Sequence, residues 1–232
     1  MSQKKWAEVE RYITDTIIRP DSALDEALRS SAEAGLPKIS VSPPEGMMLM
    51  LIARMNGARR ILEIGTLGGY SAIWLARALP LGGVLTTLEI DAKHAKVAAA
   101  NIKKAGLSRV VEIRRGPALE TLPKLEAEGK GPYDVIFIDA DKPSNPEYFD
   151  WAIRLSRPGS VIIVDNVVRD GAVVNSKSRD PNVRGVRRLN AMMAAEPRVL
   201  ATEIQTVGSK GYDGFAVAMV IPPAKGKIGL NP

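Results

Sequence analysis

The chain has 232 residues, of which 45% are hydrophobic and 25% are charged, and its formal net charge is +6. This length suits one large domain whose core needs no covalent cross-link, and the lack of cysteine excludes disulfides and thiolate metal sites. Because no apolar stretch approaches the roughly 20 residues of a membrane span, and charged residues interrupt the N-terminus, we expect a soluble cytoplasmic protein without membrane contact.

Residues 1–57 are predicted to form a cap of three helices. The second begins at Ser22, and the third begins with the capping box of Ser42 and Glu45 and ends at Gly57. In the first helix one face is formed by Val9, Tyr12, Ile13, Thr16 and Ile17. The methionines of the third helix are interpreted as core filling: Met47, Met48, Met50 and Met55.

From Arg59 onward strands alternate with helices, which is typical of βαβ units and a parallel sheet. Strands are predicted at 61–64, 84–90, 110–115, 133–139 and 160–165, and helices at about 70–79, 91–105, 117–128 and 145–156. Two further strands, near 199–207 and 214–221, are joined by GSKGYD, which is too short for a parallel crossover, so they must be antiparallel. The chain is thus predicted to be one α/β domain, with its core at 58–221 and a loose tail at 222–232.

The first predicted strand runs into a glycine turn and then a helix within Arg59–Ser71, RRILEIGTLGGYS. Glycines in such a turn let a ligand approach bare backbone N–H groups. A dinucleotide fingerprint requires G-x-G-x-x-G, whereas Thr66 and Leu67 occupy the tightest part of this turn and Glu63 would repel a pyrophosphate. The segment therefore argues against a NAD-dependent oxidoreductase and favours a ligand with ammonium and sulfonium charges. Glu89, which ends the second strand, is placed to accept hydrogen bonds from a ribose diol.

Polar side chains also follow the fourth and fifth strands, where FIDADK contains Asp139 and IVDN contains Asp165 and Asn166. Neighbouring parallel strands bring their carboxyl ends side by side, and carboxylate and amide oxygens are ligands that Mg²⁺ and Ca²⁺ prefer. A helix cap at Asp139 and a simple turn at Asp165 are the structural alternatives. The single histidine, His94, is interpreted as a surface or packing residue rather than a ligand.

These segments together, LEIGTLGGYS, TLEID, DADK and DN, resemble the cation-dependent O-methyltransferases of the caffeoyl-CoA and catechol type, which are class I enzymes dependent on S-adenosylmethionine (SAM). The resemblance covers about residues 36 to 221. It implies a Rossmann-like fold with a seven-stranded, mostly parallel sheet in the order 3-2-1-4-5-7-6, the last strand antiparallel, and helices on both faces. It also implies a homodimer with N-terminal helices near the pocket.

The resemblance further implies a role for each matching residue. Asp139 would touch SAM and, with Asp165 and Asn166, bind Mg²⁺ (or Ca²⁺ or Mn²⁺), and Lys142 matches the catalytic lysine of the family. The other cofactor contacts would be Val41 by packing, Glu63, Gly65, Thr66 and Ser71 at the methionine portion, Glu89 at the ribose and Ala118 at the adenine. The family often has Asn-Tyr soon after its lysine; this chain departs from that pattern, so Asn145 and Tyr148 receive no role.

The activity thus implied is metal-dependent transfer of a methyl group from SAM to a hydroxyl of a small catechol-like or phenolic acceptor. Lys142 would take the phenolic proton while the metal serves as Lewis acid and template. The structural alternative for Lys142 is a surface salt bridge to Asp141 or Glu147. The long loop Val167–Pro181 is predicted to shape the acceptor pocket.

The basic charge leaves one other acceptor open, a hydroxylated uridine of tRNA methylated by the same fold. Basic pairs lie on different predicted elements and are not interleaved with aromatic residues: Arg59-Arg60, Lys103-Lys104, Arg114-Arg115 and Arg187-Arg188. They are therefore interpreted as solvated surface, and nucleic acid is not the expected partner. A SAM-binding protein without catalysis is a third hypothesis, which the intact set of polar strand ends disfavours.

Overall fold

A computed structural model describes residues 2–222. The predicted loose tail lies, from residue 223 onward, outside the described residues. The helices are α1 Gln3–Ile17, α2 Ser22–Glu33, α3 Pro43–Asn56, α4 Tyr70–Ala78, α5 Ala92–Lys104, α6 Ala118–Ala127, α7 Asn145–Arg154 and α8 Pro181–Ala195. The strands are β1 Arg60–Ile64, β2 Val84–Glu89, β3 Val111–Arg115, β4 Tyr133–Ile138, β5 Ser156–Asp165, β6 Val199–Gly208 and β7 Gly211–Val220.

The strands form one sheet in the order β3-β2-β1-β4-β5-β7-β6, which confirms the predicted topology. Strands β1 to β5 run parallel, and β7 is antiparallel to both β5 and β6. The register pairs Ile64 with Ile138 and Ile138 with Val164, so the carboxyl ends of β1, β4 and β5 lie level. This alignment creates the edge at which the polar residues gather.

Helices cover both faces of the sheet, and two hydrophobic cores result. Leu49, Ile73 and Phe137 belong to the core beneath the N-terminal helices, whereas Phe149 and Leu189 belong to the core on the opposite face. The near-continuous burial of β4 on both faces is typical of a central parallel strand.

The N-terminal helices form as the sequence predicts, but two surface features differ. The capping box of Ser42 and Glu45 opens α3, and Gly57 ends it in a left-handed conformation. Core filling is wrong for Met55, which is 79% exposed, whereas the other three methionines pack partly buried against the core. The α1 face stays uncovered in the single chain, since Tyr12 is 67% exposed.

The sequence analysis did not identify α8, and it extended α7 into what is the start of β5. Asp180 caps α8 by accepting from the backbone N–H of Asn182 at 2.8 Å, and Pro181 occupies the first turn. The buried side chains Val183, Val186, Leu189 and Met193 recur at helical spacing, so the signal was present in the sequence. Every described helix is too short or too polar to traverse a bilayer.

Candidate active site at the carboxyl edge of the sheet

The turn after β1 packs directly against the end of β4. Gly65 has a φ of 103°, and a Cβ there would lie 2.0 Å from the backbone oxygen of Asp139. Only glycine tolerates both conditions. The turn continues into Gly69, which opens α4 in a left-handed conformation without a side-chain cap, so the first N–H groups of that helix have no intrahelical acceptor.

Glu63, at the end of β1, is a fully buried carboxyl group with one oxygen unused. Its Oε2 lies 2.6 Å from the hydroxyl of Thr87. Its Oε1 has no partner of regular hydrogen-bond geometry among residues 2–222, although the Ser71 side chain is near enough to lower the pKa of the carboxyl group. Burial raises the pKa of Glu63 to about 8. A buried carboxyl oxygen without a donor is costly, and an ammonium group delivered by a ligand would satisfy it. The turn therefore fits a ligand that brings an ammonium group to Glu63.

A short chain of hydroxyls links Glu63 to the neighbouring strand. Thr87 Oγ1 lies 2.5 Å from Thr66 Oγ1, which in turn lies 3.1 Å from the backbone oxygen of Leu88. Each hydroxyl has one hydrogen, so a protonated Glu63 lets all three donate in one direction. If Glu63 is ionised, Thr87 donates to Glu63 and Thr66 donates to Thr87. The chain thus accommodates both protonation states of the carboxyl group.

Glu89, at the end of β2, holds the turn in place. Its Oε2 accepts from the backbone N–H groups of Leu67 at 2.8 Å and Thr66 at 3.3 Å, and its Oε1 accepts from that of Asp91 at 2.9 Å. The predicted ribose contact would have to share these oxygens. Ala118 begins α6, shortly after the end of β3. Because Arg115 of β3 pairs with Glu89 of β2, Ala118 follows the strand that lies next to Glu89.

The ends of β4 and β5 bring Asp139 and Asp165 together. Ile138 pairs with Val164 in the sheet, and Asp139 and Asp165 are the residues that follow them. Their backbones therefore lie about 5 Å apart on adjacent strands. Burial, with the charge of Asp139 adding to it, raises the pKa of Asp165. No group of three or more histidine, cysteine or acidic side chains is clustered for a metal within the described chain. A cation here would therefore rely on two carboxylates and the amide of Asn166.

Lys142 is the buried cation of this site, at 7% exposure. Its ammonium donates to Oδ1 of Asp139 at 2.9 Å. The surface salt bridge considered from the sequence is wrong, because Asp141 instead accepts from the hydroxyl of Tyr148 at 2.6 Å and Glu147 accepts from Arg188 at 2.8 Å. The lysine therefore points inward, to the carboxylate pair.

Helix α8 supports the turn that carries Lys142. A Cβ at Gly185 would lie 2.1 Å from the backbone oxygen of Lys142, so the helix backbone packs against this short 3₁₀ turn, Lys142–Ser144. Asn145, to which the sequence assigned no role, is fully buried, and neither of its amide atoms has a partner among the described residues.

The loop after β5 carries Asn166 in a left-handed conformation. Asn166, Arg169 and Asp170 all have φ between 54° and 58°, a region that residues other than glycine seldom occupy. Asp213 on β7 holds this loop, since its Oδ1 accepts from the backbone N–H groups of Val168 and Arg169, both at 2.9 Å. Sequence reasoning missed Asp213, because its partners are 44 and 45 residues away.

A cleft of about 920 Å³ opens beside Asn166. Its walls come from α1, the α2–α3 loop, α3, the loop after β5 and the β6–β7 hairpin: Trp6, Ile39, Met48, Arg169, Tyr212 and Phe215. Of the loop Val167–Pro181, only Arg169 and Asp170 line the cleft, while Val167 and Val168 are buried in the core. The hairpin is a wall that the sequence analysis did not foresee.

The remaining predicted cofactor residues lie around the glycine turn. Val41 is 5% exposed and packs in the core next to the start of α3, and Ser71 is the second residue of α4. Thr66 is 1% exposed. The structure thus gathers Glu63, Gly65, Thr66 and Ser71 around one turn.

Comparison with known proteins gives consistent matches. A family model described as O-methyltransferase matches residues 15–228. A catechol O-methyltransferase from Niastella koreensis is 54% identical over 220 residues, covering 95% of this chain and 100% of that protein. The crystal structure of an O-methyltransferase from Bacillus cereus in complex with SAH has a TM-score of 0.93 at 55% identity, covering 94% of this chain and 100% of that one. The O-methyltransferase TomG from Streptomyces achromogenes, in complex with SAM, has a TM-score of 0.92 at 50% identity, with coverage of 96% and 100%.

Proposed function

This chain belongs to the O-methyltransferase family of SAM-dependent enzymes, and we propose that it transfers the methyl group of SAM to a hydroxyl of a small catechol-like or phenolic acceptor in a divalent-metal-dependent reaction. The observation that carries this proposal is the inward salt bridge of Lys142 with Asp139, next to Asp165. A buried lysine at a pair of neighbouring carboxylates is an arrangement suited to acid–base chemistry.

SAM would bind at the turn after β1. Its ammonium group would satisfy the unpartnered Oε1 of Glu63, and Gly65 and Thr66 would place backbone against its methionine portion with Ser71. Glu89 would accept from the ribose hydroxyls, Ala118 would face the adenine, and Val41 would pack against the cofactor. Asp139 would reach both SAM and the metal, because it follows β4 between the glycine turn and β5.

Asp139, Asp165 and Asn166 would hold the divalent cation. The donor set fits a hard cation such as Mg²⁺, since all the donors are oxygens. The pKa of Asp165 is raised first by burial and then by the neighbouring charge of Asp139, and a bound cation would offset both effects. When bound, such an ion supplies a Lewis acid and an orienting charge for an acceptor with two adjacent oxygens.

Lys142 would act as the general base. After its resting ammonium has released a proton to solvent, the neutral Nζ would take the proton from the acceptor hydroxyl, and Asp139, at 2.9 Å, would stabilise the ammonium that forms again. The freed oxygen would then attack the methyl carbon in line with the departing sulfur. The packing of Gly185 against the Lys142 backbone would hold the base in position.

A small aromatic acceptor suits the cleft beside Asn166. The volume of about 920 Å³ lies within the range of small-molecule sites, and Trp6, Tyr212 and Phe215 provide aromatic walls. The Niastella relative is named a catechol O-methyltransferase, which supports an acceptor with neighbouring hydroxyls. We retain the homodimer as a proposal, and the exposed face of α1 with Tyr12 is compatible with it.

A methylation assay tests the proposal directly. The purified enzyme with SAM should methylate catechol or caffeate in the presence of Mg²⁺, and activity should fall to background with EDTA and return when Mg²⁺ is restored. A phenol with one hydroxyl and tRNA that carries the hydroxylated uridine serve as the other acceptors. Turnover that is unchanged by EDTA would refute the metal role, and methylation of tRNA alone would refute the small-molecule acceptor.

A further inference from the structure

A second cavity, of about 550 Å³, opens at the opposite edge of the sheet. It is lined by the first residues of four parallel strands: Arg60, Val84, Val111 and Tyr133. The active site lies at the other ends of those same strands. On β2, Thr86 lines this cavity while Glu89 holds the cofactor turn, about 10 Å further along the strand. The two sites are therefore separate.

The mouth of the cavity is positively charged. Arg60, Arg109 and Lys130 line it, with Glu112 as its one acidic residue. Glu112 is already neutralised, because Lys130 approaches it at 3.2 Å and Arg114 at 2.7 Å. Arg109 forms no salt bridge with any described residue. An anion entering here would meet an unneutralised guanidinium group.

Arg60 is held at the mouth by the backbone. Its guanidinium donates to the backbone oxygens of Lys130 at 3.2 Å and Gly131 at 3.0 Å. These bonds use one nitrogen and leave the other donors of the fork available. Arg60 is therefore a preorganised cation rather than a freely moving surface side chain.

A buried hydroxyl without a partner lies deeper in the cavity. Tyr133 is 1% exposed, and its hydroxyl has no hydrogen-bond partner among residues 2–222. Burial raises the pKa of Tyr133, and its hydroxyl lies close enough to Thr86, Glu112 and Arg60 for these groups to affect that pKa. Tyr133, which lines the cavity, thus stays a neutral donor. An unsatisfied buried donor is costly, and a bound acceptor would recover that cost.

We propose that this cavity is a binding site for a small organic anion, a carboxylate or a phosphate ester with an apolar or aromatic body. The acidic group accepts from the hydroxyl of Tyr133 and from the guanidinium groups of Arg60 and Arg109. The apolar body packs on the valine side chains that line the cavity, Val84, Val110 and Val111. This ligand is distinct from the methyl acceptor, because the two cavities have no lining residue in common.

Calorimetry on the full-length enzyme saturated with the demethylated cofactor tests the site. Benzoate, phenyl phosphate and inorganic phosphate are titrated separately, with benzyl alcohol as the neutral control. Benzoate or phenyl phosphate should bind at least about tenfold more tightly than benzyl alcohol. Binding of inorganic phosphate alone would assign the site to free phosphate and overturn the organic ligand, and binding of none of the anions would overturn the site.

Two variants locate the binding site of the anion, and a third variant serves as control. Tyr133→Phe and Arg109→Ala should each weaken the anion at least fivefold, whereas Arg19→Ala, which removes an exposed arginine from the N-terminal cap, should leave it unchanged. Anion binding that survives both cavity variants lies elsewhere and overturns the proposal. Tyr133→Phe should also keep or raise the melting temperature of the ligand-free enzyme, because the lost hydroxyl has no partner; a clear fall would show that the hydroxyl is needed for folding instead.

Discussion

The ammonium of Lys142 donates to the carboxylate of Asp139 at 2.9 Å, although both residues lie in the same short segment that leaves β4. At 7% exposure an ammonium without a partner would be costly. The strand end therefore places the proposed base and one proposed metal ligand in direct contact. Several consequences of this arrangement can be measured.

Lys142→Met should remove the proposed base while keeping most of the side-chain volume. We expect kcat to fall by about 10²–10⁴-fold, the usual contribution of a general base, and the Kd of SAM to change less than threefold. Steady-state kinetics and calorimetry measure the two quantities. Lys96→Ala, on the exposed face of α5, is the control. A kcat within threefold of the wild type would contradict the role of Lys142.

The affinity for SAM should depend on the protonation of Glu63. Burial raises the pKa of Glu63 to about 8, so at pH 7 the ligand-free protein holds this carboxyl mostly protonated. Because the ammonium of SAM favours the ionised form, affinity should rise with pH up to about 8, and binding at pH 7 should release a proton. Calorimetry in two buffers of different ionisation enthalpy measures that release.

Glu63→Gln is the matched control, because any proton that SAM itself releases is the same with both proteins and only the contribution of Glu63 differs. The variant should bind SAM at least about tenfold more weakly and release less proton at pH 7. The folded-state pKa of Glu63 exceeds its ordinary value of 4.5, so the folded wild type binds more protons than the unfolded chain, and its stability should fall as the pH rises between these values. A variant with the same stability profile as the wild type would contradict a protonated Glu63.

Asp165→Asn should weaken the metal site without affecting the cofactor. Loss of a direct ligand should lower Mn²⁺ affinity by more than the roughly 10–100-fold typical of outer contacts, while the Kd of SAM stays within threefold. Electron paramagnetic resonance of free Mn²⁺ measures the first quantity. Asp150→Asn, the same change at an exposed position of α7, is the control. Equal Mn²⁺ binding by both variants would exclude Asp165 as a ligand.

Asp213 should act as a positioning residue for Asn166. Asp213→Ala removes the acceptor for Val168, Arg169 and Gly214, so we expect a loss of about 1–3 kcal/mol in unfolding free energy and weaker Mn²⁺ binding. Asp213→Asn retains one oxygen acceptor and should restore much of both. If the alanine variant binds Mn²⁺ as the wild type does, the loop does not depend on Asp213 to present Asn166.

Gly185→Ala should displace the turn that carries Lys142. The new Cβ would meet the Lys142 backbone oxygen at 2.1 Å, so the turn or α8 must shift, at a cost of about 1–3 kcal/mol. We expect kcat to fall with little change in SAM affinity. Leu189→Ala, in the same helix and fully buried, destabilises by a cavity instead. At a temperature where both variants are folded, equal kcat values for the two would contradict the positioning role.

Local signals in the sequence were enough for most of the fold. The glycine turn, the capping box of Ser42 and Glu45 and the alternation of apolar runs predicted nearly all elements, and GSKGYD predicted the hairpin. The missed α8 had the necessary spacing at Val183, Val186 and Leu189, but its many polar residues obscured that pattern. Whether a segment forms a helix or a strand depends largely on the spacing of apolar residues along the chain, which is why local patterns predict most elements.

The candidate site could be predicted only in part. Adjacent parallel strands must bring Asp139 and Asp165 to one edge, so their proximity followed from the strand order. The strand order did not predict the direction of the Lys142 side chain, because Asp141 and Glu147 are also close in sequence and were equally available as partners. Other groups in the tertiary structure occupy both of them, Tyr148 on Asp141 and Arg188 on Glu147.

By itself, the sequence determined the alternation of strands and helices, the glycine turn and the set of oxygen donors, since these depend on periodicity and backbone preference within short segments. The spatial order of the strands came from the resemblance to a known family. Only the tertiary structure decided which groups are buried without partners, as with Glu63 and Tyr133, and which distant residues support the site, as with Gly185 and Asp213. The reason is physical: burial and close approach arise from segments that are far apart in the chain, and no local pattern encodes their distance.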